Sequence, residues 1–178
     1  MAGAVKSYFN TDKIYRHGYF PSYVKLASVL GPRVRVLEIG VENGESLRMW
    51  QSLFPLGDIT GVDISSDATF PAGTRRIIAS QTSPRLAELG PFDLIVDDAS
   101  HDGKLTRETF DLLWSRVAPG GYYVVEDWFI GIERYIDGSY DPVMLETVQH
   151  FLTLLTDDSD CESVTCRYGM AILRKKAA

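Results

Sequence analysis

Acidic side chains stand at the ends of apolar runs along this sequence, and a histidine closely follows one pair of them. The acids are Glu38, Asp63, Asp97, Asp98, Glu126 and Asp127, and the histidine is His101. Carboxylates and imidazole can take up protons, hold divalent cations and bind hydroxyl groups. Ligands of a parallel sheet bind beyond the carboxyl ends of its strands, so we expect these side chains to meet at one edge. Capping of a following helix is the alternative for one or two acids, such as Asp98 or Asp102.

The first two of these acids belong to one strand-helix-strand pattern. An apolar run at 34–39 ends in a glycine turn, a helical pattern covers 46–54, and a second apolar run ends at Asp63. An acid at the tip of the second strand of such a unit can accept both hydroxyls of a ribose. This pattern predicts a nucleotide-like cofactor.

Strand and helix patterns continue to alternate, which predicts an α/β fold with a doubly wound, Rossmann-like sheet and helices on both faces. The sheet is expected to be mostly parallel, with strands at 75–80, 92–98 and 122–127. Helices are expected at 104–117 and from Asp141-Pro142 onward, the latter with Leu145, Val148, Leu152 and Leu155 on one face. Two final strands joined at Tyr168-Gly169 predict an antiparallel hairpin at the edge of the sheet.

Composition sets limits on organisation and partners. With 178 residues and 45% apolar content, the chain is expected to be a single domain, 1–178. Residues 1–30 are predicted to be a helical segment or lid, and 128–140 an active-site flap. The net charge of −6 argues against nucleic acid, and no apolar run reaches membrane-spanning length. The polar N-terminus and the two cysteines, Cys161 and Cys166, favour reduced thiols in a cytoplasmic protein.

The glycine loop at 40–46 indicates which cofactor is bound. It has two glycines where dinucleotide loops have three, and Glu42 and Glu45 would repel a pyrophosphate. The loop instead favours a zwitterion with a free amine, such as S-adenosylmethionine (SAM), with Glu38 near its ammonium group. The predicted cofactor-binding residues are Glu38, Gly40, Asn43, Asp63, Ile64, Ser80, Gln81 and Asp97. Because neighbouring side chains of a strand point to opposite faces, Asp97 and Asp98 should face different surroundings, one the cofactor and one the substrate cleft.

The chain resembles class I SAM-dependent methyltransferases, and among them the sugar O-methyltransferases of macrolides and other glycosylated natural products. The motifs that carry the resemblance are 10–13, 17–19, 37–50, 61–64, 92–101 and 119–127. The Asp-Asp-x-Ser-His sequence ending at His101 is the most discriminating of them. The resemblance implies that His101 is the general base and that Asp98 and Asp127 hold a divalent cation such as Mg²⁺. Two departures stand out: Ser80 replaces the acid that often faces adenine, and no further metal-binding acid is evident at 19–30.

These observations predict an O-methyltransferase whose partner is a small hydroxylated molecule, with Asp98 and His101 as its catalytic residues. A metal-dependent catechol-type methyltransferase, a nicotinamide-dependent oxidoreductase and a non-catalytic protein with the same fold remain alternatives. Self-association into a homo-oligomer also stays open. The aromatic residues of 8–23 are expected to pack onto the sheet, or to cover SAM with Tyr19 or Lys13 near its carboxylate.

Overall fold

The structure is a computed structural model that describes residues 9–134 and 138–178. Its strands are β1 Arg35–Ile39, β2 Asp58–Asp63, β3 Arg75–Ile78, β4 Phe92–Asp97, β5 Val117–Glu126, β6 Cys161–Arg167 and β7 Met170–Lys175. Its α-helices are α1 Asp12–Tyr15, α2 Phe20–Leu30, α3 Glu45–Leu53, α4 Gly103–Leu113 and α5 Pro142–Thr153. Short 3₁₀ helices cover Pro84–Glu88, Trp114–Arg116 and Trp128–Gly131.

The strands of the described residues form one sheet in the order β3-β2-β1-β4-β5-β7-β6. The pairs from β3 to β5 are parallel, and β7 is antiparallel to both β5 and β6. This confirms the predicted doubly wound sheet with an antiparallel edge hairpin, which turns at Tyr168 and Gly169. The strand order reverses between β1 and β4, and a ligand crevice is expected at that point.

Side chains on the two faces of the sheet form two apolar cores. Alternate residues such as Leu94 and Val96 of β4 pack with α2 and α3, while Ile95 packs with α4 and α5. The same alternation separates Tyr122 and Tyr123 of β5. Helices therefore cover both faces, as the alternating pattern predicts, and the direction of each strand-end acid follows from its position in this alternation.

Two predicted helices needed correction. The helix expected over 104–117 ends at Leu113, and β5 begins at Val117, which is buried and pairs with Phe92. Pairing with β4 outweighs the local helical pattern at that point. In α5, Met144, Thr147, Val148 and Phe151 are the buried residues, whereas Leu152 is exposed, as is Leu155 just after the helix ends.

The structure confirms helix-capping acids and covers most of the predicted lid and flap. Asp102 and Asp141 cap α4 and α5 by accepting hydrogen bonds from Leu105 N and Val143 N. Part of the predicted lid (1–8) and part of the predicted flap (135–137) lie outside the described residues. Within the described ranges, no helix has both the length and the apolar composition needed to span a bilayer.

Candidate functional site

The crevice at the sheet's reversal point begins with the backbone around Gly40. Gly40 N donates to Val62 O of β2, and Asp98 N donates to Ile39 O of β1, each at 2.9 Å. Gly40 has φ +89°, and a Cβ there would lie 1.9 Å from Asp98 O. Only glycine combines this left-handed conformation with such a close approach, so the first turn brings the loop against the end of β4.

Asp63 holds the glycine loop in place. One oxygen, Oδ2, accepts hydrogen bonds from Val41 N at 2.8 Å and Glu42 N at 3.0 Å, and Oδ1 accepts one from Ser65 N at 2.8 Å. Burial acts to raise the pKa of Asp63, but these backbone donors outweigh it and lower the pKa below its usual range. Asp63 is therefore a fixed negative charge at the mouth of the crevice.

Two cavities of different character meet at Asp63. The first has a volume of about 410 Å³ and a polar wall that includes Asn10, Lys13, Asn43, Ser46, Asp98 and His101. The second has a volume of about 250 Å³ and a mostly apolar wall that includes Val62, Ile64, Ala79, Ser80, Gln81 and Leu105. Gly40, Asp63 and Ala99 line both cavities. The arrangement suits a ligand with a flat apolar group, a hydroxylated centre and a charged polar end.

A third cavity, of about 480 Å³, opens on the other side of His101. Ser100, Asp127, Ile130, Tyr140 and Asp141 are among its lining residues. His101 lines both this cavity and the polar one. A molecule in the third cavity can thus meet the polar end of a ligand in the first beside the imidazole.

His101 lies between two carboxylates. Its Nε2 is 3.9 Å from Asp98 Oδ1 and 3.6 Å from Asp127 Oδ2. One ligand atom from each of the three residues falls within 4.8 Å of the others, a spacing that could enclose a metal ion. Both His101 (φ 54°) and Asp127 (φ 53°) have left-handed backbones. Residues other than glycine rarely adopt this conformation, and such strain tends to cluster at functional sites.

A buried ammonium group lies behind Asp98. Lys13 Nζ donates to Asp98 Oδ2 and to Glu126 Oε2, and lies 3.4 Å from Glu38 Oε1. Burial acts to lower the pKa of Lys13, but the charges of Asp98, Glu126 and Glu38 outweigh burial and raise it well above its usual value. Tyr23 donates its hydroxyl proton to Glu126. The sequence named Lys13 only as an alternative to Tyr19 near the SAM carboxylate, and it named Glu126 only as a strand-end acid, so the pairing of the two was not predicted.

The N-terminal aromatic residues also contact the acids directly. The Tyr19 hydroxyl donates to Asp127 Oδ1 at 2.5 Å, and the Tyr23 ring packs edge-on against Trp50. Tyr19, Phe20 and Tyr23 are buried against the sheet, whereas Tyr15 is exposed. Packing thus accounts for most of these rings, and their hydroxyls also orient acids at the end of β5.

Among the predicted cofactor-binding residues, Gly40, Asn43, Asp63, Ile64, Ser80 and Gln81 line the two adjoining cavities. Gln81 is buried and donates its amide to Thr109 Oγ1 at 3.0 Å. Glu38 instead lies beneath the cavity floor, where it accepts a hydrogen bond from Ser46 Oγ at 2.7 Å. The placement of Glu38 follows from the alternation of side chains along β1.

Asp97 and Asp98 do face opposite sides of the sheet. Asp97 points away from the cavities and accepts a hydrogen bond from the Tyr123 hydroxyl at 3.3 Å. Burial raises the pKa of Asp97 to about 7. This position makes Asp97 a support beneath the crevice, and its contact with a cofactor stays a prediction.

A family model described as a methyltransferase domain matches residues 37–128. The chain belongs to this family. The matched range contains the glycine loop, Asp63, Asp98, His101 and Asp127, whereas the cavity-lining residues of 10–16 lie before it. Because the chain belongs to a methyltransferase family, it is not the nicotinamide-dependent oxidoreductase that remained an alternative from the sequence.

Similar proteins include two curated methyltransferases and a solved structure. The mycinamicin VI 2''-O-methyltransferase of Micromonospora griseorubida is 36% identical over 149 residues, which cover 76% of this chain and 37% of that protein. The demethylmacrocin O-methyltransferase of Streptomyces fradiae is 37% identical over 142 residues, which cover 71% and 35%. The structure of the MycE methyltransferase in complex with Mg, SAH and mycinamycin VI has a TM-score of 0.80 and 29% identity, covering 98% of this chain and 54% of that one.

The chain therefore spans little more than a third of the length of these curated relatives, since the matches cover 37% and 35% of them. What the larger proteins do with their remaining residues does not carry over to this chain.

Proposed function

We propose that this protein is a SAM-dependent O-methyltransferase that methylates a hydroxyl group of a small molecule, most specifically a sugar of a glycosylated natural product. The observation that carries the proposal is the position of His101, which lines both the cavity beside the glycine loop and the separate third cavity. A base at that junction can serve an acceptor on one side and a methyl donor on the other. The names of the similar proteins support the choice of O-methylation and of sugar acceptors.

The chain's residues fit SAM by their chemistry. Gly40 lines both cavities, the apolar cavity suits adenine, and Asp63 is a fixed anion where the two cavities meet. Asn43 and Ser46 offer polar groups to the amino-acid end in the polar cavity. SAM, when bound, supplies an electrophilic methyl group on its sulfonium.

The reaction needs a deprotonated or strongly polarised acceptor oxygen, because a sugar hydroxyl is a weak nucleophile at neutral pH. His101 would take the hydroxyl proton as the oxygen forms its bond to the methyl carbon and the carbon–sulfur bond breaks. General-base catalysis of this kind contributes roughly 10²–10⁴-fold in rate. Asp127 and Asp98, on either side of His101, would stabilise the imidazolium that results.

The donor set also fits a hard divalent cation. Asp98 and Asp127 each present an oxygen within the same small space, and Mg²⁺ prefers carboxylate oxygens completed by water or substrate oxygens. Two carboxylates held this close repel each other unless a cation or proton is present. When bound there, the cation would polarise the acceptor hydroxyl and lower its pKa.

The acceptor cavity agrees with a polar, partly apolar substrate. Ser100, Asp102 and Asp141 provide hydrogen-bonding groups, while Ile130 and the half-exposed ring of Tyr140 provide apolar surface. A sugar ring presents both kinds of surface. An aromatic hydroxyl, the catechol-type alternative, would use the same base and cation, so the choice of acceptor is an outcome of the test.

The test is to incubate the 178-residue chain with SAM, Mg²⁺ and a panel of glycosides and catechols, and to measure S-adenosylhomocysteine and methylated product by mass spectrometry. We expect methylation of a glycoside hydroxyl by the natural chain and strongly reduced methylation by a His101→Asn variant. Methylation of catechols alone would support the alternative acceptor class. Binding of SAM without transfer to any acceptor would contradict an enzymatic role for the isolated chain.

We further propose a cytoplasmic location, which is supported by the free thiols of Cys161 and Cys166. Self-association remains a prediction that the mass of the chain in solution would test.

A further inference from the structure

One ammonium group forms ion pairs with acids from three strand ends at the floor of the crevice. Glu38 at the end of β1, Asp98 just after β4 and Glu126 at the end of β5 all direct a carboxylate oxygen at Lys13 Nζ. The Lys13 side chain is only 1% exposed, and those of Glu38 and Glu126 are 0% and 2% exposed. Buried charges are costly, and removing one partner leaves the others uncompensated. Lys13 lies between the three acids, and its positive charge offsets part of their mutual repulsion.

Asp98 connects this buried cluster to the candidate base. Its Oδ2 accepts the hydrogen bond from Lys13, while its Oδ1 faces His101 Nε2 at 3.9 Å. A carboxylate that is held through one oxygen cannot turn freely about its side-chain bonds. Lys13 therefore determines where the second oxygen of Asp98 points, although Lys13 itself makes no contact with His101 in the described structure.

Lys13 also holds a wall of the cofactor cavity. The helix that carries it, α1, has four residues, and a helix this short has little stability of its own. Asn10, Thr11, Asp12 and Arg16, on either side of Lys13, line the polar cavity opposite the glycine loop. Anchoring by tertiary contacts such as those of Lys13 must keep this segment, residues 10–16, against the sheet.

We propose that Lys13 is a positioning residue that couples two events: docking of segment 10–16 as the wall of the cofactor cavity, and orientation of Asp98 toward His101. This rests on the proposed function, since cofactor and acceptor are those of a methyltransferase. Lys13 acts through Asp98 and Glu126, so its effect on turnover is indirect. A purely structural role would lower stability without changing the orientation of Asp98.

The test compares Lys13→Met, which keeps an unbranched side chain of similar length but removes the charge, with Lys13→Arg. Lys25→Met is the matched control because Lys25 is exposed on α2. For Lys13→Met, we expect faster amide hydrogen exchange in segment 10–16 and SAM affinity lower by roughly tenfold or more, the loss of a charged hydrogen bond. We also expect kcat at saturating SAM to fall by roughly tenfold or more, with partial recovery in Lys13→Arg and no change in Lys25→Met.

A double-mutant cycle separates positioning from simple charge balance. Lys13→Met/Glu126→Gln removes the ammonium group together with one of the carboxyl groups that face it, so it should regain stability against thermal unfolding relative to Lys13→Met. If Lys13 positions Asp98, the double variant still has low kcat compared with Glu126→Gln alone. Recovery of both stability and kcat would overturn the proposal, as would unchanged exchange and unchanged kcat in Lys13→Met.

The exchange experiment needs neither SAM nor an acceptor. If the natural chain fails to transfer methyl groups, the proposed function fails. The docking of segment 10–16 by Lys13 would then be judged by hydrogen exchange alone, and an unchanged exchange rate in Lys13→Met and Lys13→Arg would refute it.

Discussion

The backbone carbonyl oxygen of Asp98 occupies the space that a side chain on Gly40 would require. A Cβ on Gly40 would lie 1.9 Å from this oxygen and 2.9 Å from Ala99 Cα. The cofactor loop and the end of β4 are therefore in direct backbone contact. A change in the loop must be transmitted to Asp98, which faces His101.

Gly40→Ala should damage both stability and SAM binding. The left-handed φ of +89° alone costs about 1–3 kcal/mol for a residue with a Cβ, and the clash adds to this cost. Gly31→Ala is the control, because Gly31 has φ +79° but nothing within 4 Å of its Cβ position. Thermal unfolding and SAM titration of both variants should show a larger loss for Gly40→Ala. Equal losses would mean that backbone strain, and not the contact with Asp98, dominates.

Asp63→Ala should weaken SAM binding by roughly 1.5–3 kcal/mol, the loss of a charged hydrogen-bond acceptor. The glycine loop would also lose the acceptor for Val41 N and Glu42 N. Asp67→Ala, a change at an exposed acid in the loop after β2, is the matched control. Isothermal titration with SAM measures both. An affinity for Asp63→Ala equal to that of the control would remove Asp63 from the cofactor site.

The lowered pKa of Asp63 also predicts how its contribution depends on pH. An acid whose folded-state pKa is below the unfolded value adds stability above the unfolded pKa, about 3.9, and loses it as pH falls through the folded value. Asp63 therefore stays ionised throughout the mildly acidic range. We expect the stability difference between the natural chain and Asp63→Asn to be constant from neutral pH to about pH 5 and to shrink only below about pH 4. A difference that shrinks already near pH 6 would contradict this.

The sequence already contains most of this arrangement. Glycines, acids and apolar runs predict the doubly wound sheet and the meeting of Asp63, Asp98, His101 and Asp127 at one edge. Strand alternation could also have placed Glu38, Asp98 and Glu126 on one face, because each lies two residues after a side chain of the same core, Val36, Val96 and Val124. Three acids on one buried face would then have indicated a missing cation.

The sequence does not indicate which residue provides that positive charge. Lys13 lies on a four-residue helix with no periodic pattern, and its partners Asp98 and Glu126 are 85 and 113 residues away in the chain. Such contacts depend on tertiary docking and leave no local signal. Tertiary packing also decides which residues of α5 are buried. Local spacing favoured burial of Leu152, but Phe151 packs against α4 and Leu152 is exposed.

His101→Asn should reduce methyl transfer by roughly 10²–10⁴-fold and leave SAM affinity near that of the natural chain. Asparagine is chosen because it tolerates the left-handed backbone of His101, with φ 54°, so the loop should keep its shape. His150→Asn, at a half-buried position near the end of α5, is the control. Single-turnover kinetics and SAM titration separate chemistry from binding. Turnover in His101→Asn close to that of the control would return His101 to a structural role.

Removal of divalent cations should abolish transfer, and added Mg²⁺ or Mn²⁺ should restore it. Asp127→Asn should raise the cation concentration needed for half-maximal activity, because one of the two carboxylates of the site is lost while the left-handed backbone at φ 53° is tolerated by asparagine. Asp102→Asn is a close control: Asp102 lines the same third cavity, and asparagine caps α4 equally well. The cation requirement of Asp102→Asn should therefore match that of the natural chain.

Direct titration of Mn²⁺ by electron paramagnetic resonance gives a readout independent of turnover. Full activity in chelator, together with no bound Mn²⁺, would leave His101 acting between Asp98 and Asp127 without a metal, and the two acids would then serve to hold and stabilise its protonated form.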